Sequence, residues 1–166
     1  MNASAYWLAV STGWRHSELG SLRWADLHLD GDNPFGSVRA SMTKNHKAAM
    51  CPLRADTVTV LREWQGASSD SETVFPHMPR IERFRRDLKL TGVEYQTTLG
   101  VADFHALRKT FCTNMARSGV ARRTAMSLMR HSDGNHENVE QDMFSSWSRT
   151  RLGNGGEVVF QLAGGG

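Results

Sequence analysis

The hydrophobic period of this chain switches from helical to alternating and back again, a pattern that points to an α+β domain, mainly helical. Residues 3–12 read as a short buried helix stopping at Gly13, a residue able to take the positive φ of a helix C-terminus. Ser17 to Arg23 reads as a second helix, with Leu19 and Leu22 on its apolar side. From Asp26 to Leu53 the period shortens to two. Leu27 and Leu29 alternate with polar residues, Asp30-Gly31-Asp32-Asn33-Pro34 supplies turn chemistry, and Val38 and Met50 to Leu53 read as later strands. Two or three short antiparallel strands fit this stretch, with Thr43-Lys44-Asn45-His46-Lys47 at a hairpin tip.

Helical spacing returns after Pro52. Val58, Leu61 and Trp64 mark a helix that ends before the polar loop Gly66 to Ser71, and Val74-Phe75-Pro76 reads as a short extended segment. Ile81, Phe84 and Leu88 lie at i, i+3 and i+7 of the next helix, which Gly92 ends. The clearest helix runs from His105 to Ser118, with Leu107, Phe111 and Met115 on one face, Gly119 as its C′ residue and Val120 as apolar cover. Arg122 to Met129 gives one more helix, burying Ala125 and Leu128. Beyond His131 the periodicity fails, and the six glycines between Leu152 and Gly166 predict weak order after about residue 132.

Composition closes off several classes. With 166 residues and 39 % hydrophobic side chains the chain suits one soluble globular domain. No stretch approaches the ~18 to 20 apolar residues of a membrane span, so no membrane partner is expected. Two cysteines, Cys51 and Cys112, exclude a disulfide scaffold and read as buried small hydrophobes. The opening residues carry no secretion signal, which makes the cytoplasm the default compartment.

A net charge of +3 conceals an uneven distribution. Between Arg80 and Arg130 eleven basic residues face four acidic ones, against nine basic and thirteen acidic elsewhere. Such a block suits either a solvated helix face or a polyanion-binding surface. Two short patterns bear on the choice. In Thr12-Gly13-Trp14-Arg15-His16-Ser17-Glu18-Leu19, Arg15 and Glu18 stand three apart at a helix start, so the carboxylate can hold the guanidinium in a fixed pose. In His105-Ala106-Leu107-Arg108, His105 and Arg108 share the same spacing and project together, an imidazole beside a guanidinium suited to gripping phosphate.

These pieces, with a lysine at the hairpin tip and Leu128-Met129-Arg130-His131-Ser132, resemble in order and spacing the tyrosine recombinase (phage integrase) catalytic domain over about residues 4–132. The resemblance implies a mainly helical α+β domain with a small antiparallel three-stranded sheet. It also implies DNA strand cleavage and rejoining through a covalent 3′-phosphotyrosine, with no cofactor, metal or nucleotide energy. Arg15 and Arg108 match the family's two arginines, whose donors stabilise the charge gained by the pentacoordinate scissile phosphate. Lys44 matches the lysine that protonates the leaving 5′ oxygen, with Lys47 as a stand-in. His105 and His131 would add donors and assist proton transfer, and Glu18 would orient Arg15. The implied partners are double-stranded DNA and other recombinase protomers.

The family's nucleophilic tyrosine follows the last histidine by nine or ten residues, where this chain has Glu140 and Gln141. Its two tyrosines, Tyr6 and Tyr95, lie far upstream, and Ser145 or Ser146 would need a base and a different reach. The expected organisation is therefore a catalytic-type domain over 1–132, without the family's amino-terminal DNA-clamp domain, and a divergent Gly-rich tail over 133–166. This suggests a truncated or frame-shifted copy from a mobile element, unable to complete cleavage. Two other readings are a DNA-binding-only remnant and a metal-dependent hydrolase built on His131, Asp133, His136 and Glu137. The last lacks the one-turn ligand spacing of His-Glu-x-x-His helices, and no metal site is expected.

Overall fold

Helix α1 (Asn2–Thr12) is the axis around which the rest of the chain is arranged. Ala5, Leu8, Ala9 and Val10 are all buried, because the helix packs against both α3 (Ala55–Ala67) and α5 (Phe104–Arg117). Its two neighbours cover most of the helix, leaving Ala3 exposed and Ser4, Tyr6, Trp7 and Ser11 half-buried. The computed structural model describes residues 2–42, 48–67, 71–98 and 100–130. The segments containing Lys44, Lys47 and His131, and the whole tail with its expected weak order, lie outside the described residues.

Gly13 ends α1 at φ +66°, and a Cβ there would stand 2.4 Å from Cδ1 of Phe111. Both the backbone angle and the close approach to α5 require glycine. Helix α2 (His16–Gly20) starts immediately afterwards. Three strands follow, β1 (Leu27–His28), β2 (Phe35–Val38) and β3 (Ala49–Pro52), forming the antiparallel sheet β1-β2-β3 with Gly36 opposite both Leu27 and Cys51. This is the α+β, mainly helical arrangement with a small three-stranded sheet expected from the sequence. The extended segment around Val74 pairs with the chain leaving α2: the Val74 amide donates to the Leu22 carbonyl at 2.9 Å, and both side chains are buried.

Helix α4 (Ile81–Leu90) buries Phe84 but leaves Ile81 exposed, so only part of the expected apolar stripe meets the core. A second small hairpin, β4 (Gln96–Thr97) with β5 (Gly100–Val101), precedes α5 and has no hydrophobic alternation to announce it. Asp103 caps α5 by accepting from the Ala106 amide at 3.0 Å. At the other end Gly119 takes φ +72°, and the Val120 amide reaches back to the Met115 carbonyl at 3.1 Å. That is the Schellman closure the sequence predicts. Helix α6 (Arg122–Leu128) then packs on α5 through Leu128.

The cysteines divide. Cys51 is buried against the end of α1, whereas Cys112 is exposed on α5, which corrects the expectation that both are interior. Burial pushes the Cys51 thiol up to about 12, so it stays protonated at neutral pH. Iodoacetamide at pH 8 should therefore add one label per native chain, at Cys112, and two in denaturant, as read by intact mass.

Candidate active site

Glu18 is the residue around which the site is organised. Its position in the first turn of α2 lets its carboxylate reach back to the Arg15 backbone amide, Oε2 accepting at 2.7 Å, the return half of a capping box. Oε1 accepts from Arg15 Nη1 at 2.9 Å, and Oε2 also accepts from Arg130 Nη2 at 2.5 Å. Glu18 is 2 % exposed, and two guanidinium groups share its carboxylate in place of the water that burial removes.

Arg108 comes to the same place from α5. It is 3 % exposed, donating through Nη1 to the Gly13 carbonyl and through Nη2 to the Met129 carbonyl. One side chain thus ties the end of α1 to the end of α6. Burial, reinforced by the neighbouring Arg130 and Arg15 cations, lowers Arg108 to about 10, with Glu18 acting in the opposite sense. It remains a cation at neutral pH. Three guanidinium groups and one carboxylate give the cluster a net charge of +2. Such an assembly has the chemistry to accept an anion with several oxygens, because planar N–H forks match phosphate geometry.

Of the residues singled out from sequence, Arg15, Glu18 and Arg108 are brought together. His105 lies one turn before Arg108 on α5 and is exposed, unlike its buried neighbour. Lys44, Lys47 and His131 fall outside the described residues, as do Glu140, Gln141, Ser145, Ser146 and the tetrad His131, Asp133, His136 and Glu137. Among the described residues no group of three or more His, Cys, Asp or Glu side chains gathers as a metal site would require. Each tyrosine is engaged away from this cluster: Tyr6 donates to Asp87 at 2.8 Å, and Tyr95 lies 4.0 Å beneath the Arg85 guanidinium. Burial and the Asp87 carboxylate raise the Tyr6 phenol well above its ordinary range. Arg130 is the member that sequence reasoning counts in the basic block and in the motif before His131 but gives no role. Its signal is positional, a cation directly after the last turn of a helix whose end must meet the Glu18 carboxylate.

A helical α+β domain with a small antiparallel three-stranded sheet is the fold of a tyrosine recombinase catalytic domain. Residues 1–139 match the phage integrase family, and the chain belongs to that family. It is 33 % identical over 129 residues to tyrosine recombinase XerC of Xanthomonas axonopodis pv. citri, covering 74 % of this chain and 40 % of that protein. Identity to XerC of Xanthomonas campestris pv. campestris is 31 % over 131 residues, covering 76 % and 39 %. The chain thus spans about two fifths of the length of these curated relatives. Among solved structures, the integrase of mycobacterium phage Brujita superposes with a TM-score of 0.66 at 20 % identity, covering 90 % of this chain and 51 % of that one. The XerH site-specific recombinase bound to its difH substrate superposes with a TM-score of 0.63 at 16 % identity, covering 87 % and 46 %. Among the described residues no helix is long and apolar enough to cross a membrane.

Proposed function

We propose that this chain binds double-stranded DNA and positions one phosphodiester in the manner of a tyrosine recombinase, without completing cleavage by itself. The observation that carries the reading is the convergence of Arg15, held by buried Glu18, with Arg108, held by the Gly13 and Met129 carbonyls, which leaves an excess of fixed positive charge. Arg15 and Arg108 would donate to the non-bridging oxygens. Their preset positions favour the more highly charged pentacoordinate phosphate over the ground state, which is how fixed donors lower a barrier. Glu18 keeps Arg15 aimed, and Lys44, His105 and His131 are assigned proton transfer and further hydrogen bonds. No metal or nucleotide enters this scheme.

The nucleophile is the missing part. A covalent phosphotyrosine needs a phenol where this chain has Glu140 and Gln141, and neither side chain forms that linkage. On this reading residues 1–132 form the DNA-handling unit, 133–166 are a divergent tail, and other recombinase protomers would supply the chemistry. A nicked suicide duplex tests both halves. The expected result is salt-sensitive binding, with the logarithm of affinity falling linearly against the logarithm of salt, and no denaturation-resistant adduct. A covalent adduct would overturn the assignment of no cleavage, and binding that ignores salt or is absent would overturn the DNA reading altogether.

A further inference from the structure

Arg130 carries three features that its ion pair with Glu18 does not account for. It is the non-glycine residue among those described with a positive φ, +52°, in the left-handed region that a side chain with a Cβ occupies at a cost. Its side chain is only 10 % exposed. Its Nε is buried without a hydrogen-bond partner among the described residues, although Nη2 is held by Glu18 Oε2 at 2.5 Å. A buried donor left unmatched is uncommon and marks either strain or a ligand position.

The backbone geometry explains how the side chain is delivered. Helix α6 ends at Leu128, the Met129 carbonyl is held by Arg108, and the Arg130 amide closes back on the Ser127 carbonyl at 2.8 Å. The left-handed turn at residue 130 follows directly, and it sends the side chain to Glu18. The fold brings a third cation to a place already occupied by two, against their mutual repulsion, and among the described residues leaves one of its donors without a partner.

We propose that Arg130 is a third anion-binding guanidinium of this site, donating through Nε to the same phosphate that Arg15 and Arg108 receive. The inference rests on the functional reading given above and extends it to a residue to which the motifs and the family resemblance assign no role. In this arrangement Glu18 divides its two oxygens between Arg15 and Arg130, so that both flanking guanidiniums are held at fixed angles to the anion.

The test uses the full chain, with inorganic phosphate as the probe. Binding is read from the rise in thermal midpoint between chloride and phosphate buffers of equal ionic strength, titrated to give an affinity. Arg130→Gly suits the left-handed backbone and removes the side chain, while Arg130→Lys and Arg130→Gln separate charge from hydrogen bonding. The proposal expects Arg130→Gly to weaken phosphate binding about tenfold, Arg130→Gln to do nearly the same, and Arg130→Lys to lose about threefold, as charge-assisted contacts of this kind require. Arg15→Gln serves as the reference for the site itself. If Arg15→Gln weakens binding and Arg130→Gly leaves it within twofold of the parent chain, the Arg130 assignment is wrong and the arginine-pair reading stands. If neither changes it, the phosphate site as a whole is refuted. Should Arg130→Gly fail to fold, parent-like binding by Arg130→Gln overturns the proposal, and a larger loss by Arg130→Gln than by Arg130→Lys supports it.

Discussion

Replacing Arg108 with alanine is expected to lower the unfolding free energy by about 3–5 kcal/mol, far more than removal of a surface charge costs. Two carbonyls, those of Gly13 and Met129, lose their donor at once. Each buried acceptor left unpaired costs about 1–3 kcal/mol. Relief of repulsion among Arg15, Arg108 and Arg130 offsets part of this, since the three cations stand within electrostatic reach of one another. Arg108→Lys keeps the charge, but one ammonium does not span two carbonyls as a planar guanidinium does, so an intermediate loss is expected. Urea unfolding, read as a lower midpoint at unchanged slope, checks both substitutions. An Arg108→Ala chain with a parent-like midpoint would show that the bond between the ends of α1 and α6 contributes little.

Glu18→Ala should destabilise by a similar amount, about 3–5 kcal/mol, for the opposite electrostatic reason. Three guanidiniums would then face one another with no internal anion, and the Arg15 amide would lose its partner at the start of α2. The response to salt separates this variant from Arg108→Ala. An added oxyanion can stand in for the lost carboxylate, so sulfate should raise the thermal midpoint of Glu18→Ala more than that of the parent chain at equal ionic strength. The same addition should help Arg108→Ala less than the parent. Equal sulfate responses in all three chains would mean that Glu18 does not hold this charge cluster in balance.

What could be read in advance, and what could not, follows from the range of each interaction. The switch to alternating residues between Asp26 and Leu53 and the Gly119-Val120 closure of α5 are local patterns, and the structure has both the sheet and the cap. The pairing of Arg15 with Glu18 was legible for the same reason, being three residues apart on one turn. Arg130 meets Glu18 across 112 positions, and no spacing rule reaches that far. His105 and Arg108 share a helical spacing, yet one is exposed and the other buried. A long flexible guanidinium can reach inward past the helix shoulder, where an imidazole held close to the backbone does not. The β4–β5 hairpin was invisible because its strands are short and fully exposed, so no buried face imposed a hydrophobic pattern on them. Cys112 is exposed because it stands beside, not on, the buried Leu107-Phe111-Met115 face of α5, a distinction that residue type alone does not make.

Trp14 joins the sheet to the start of the charged cluster, as Cys51 of β3 also does. It is fully buried, it immediately precedes Arg15, and its indole fills the space where a Cβ on Gly36 would stand, 2.5 Å from Cη2. The centre of the sheet and the guanidinium that begins the anion site are thus two ends of one rigid lever. Strand β2 leads into the connection that bears Lys44. A tug on that connection would be felt at Arg15 through an incompressible aromatic ring rather than through a flexible loop. In mechanical terms the sheet serves as the anvil against which the charged cluster is set.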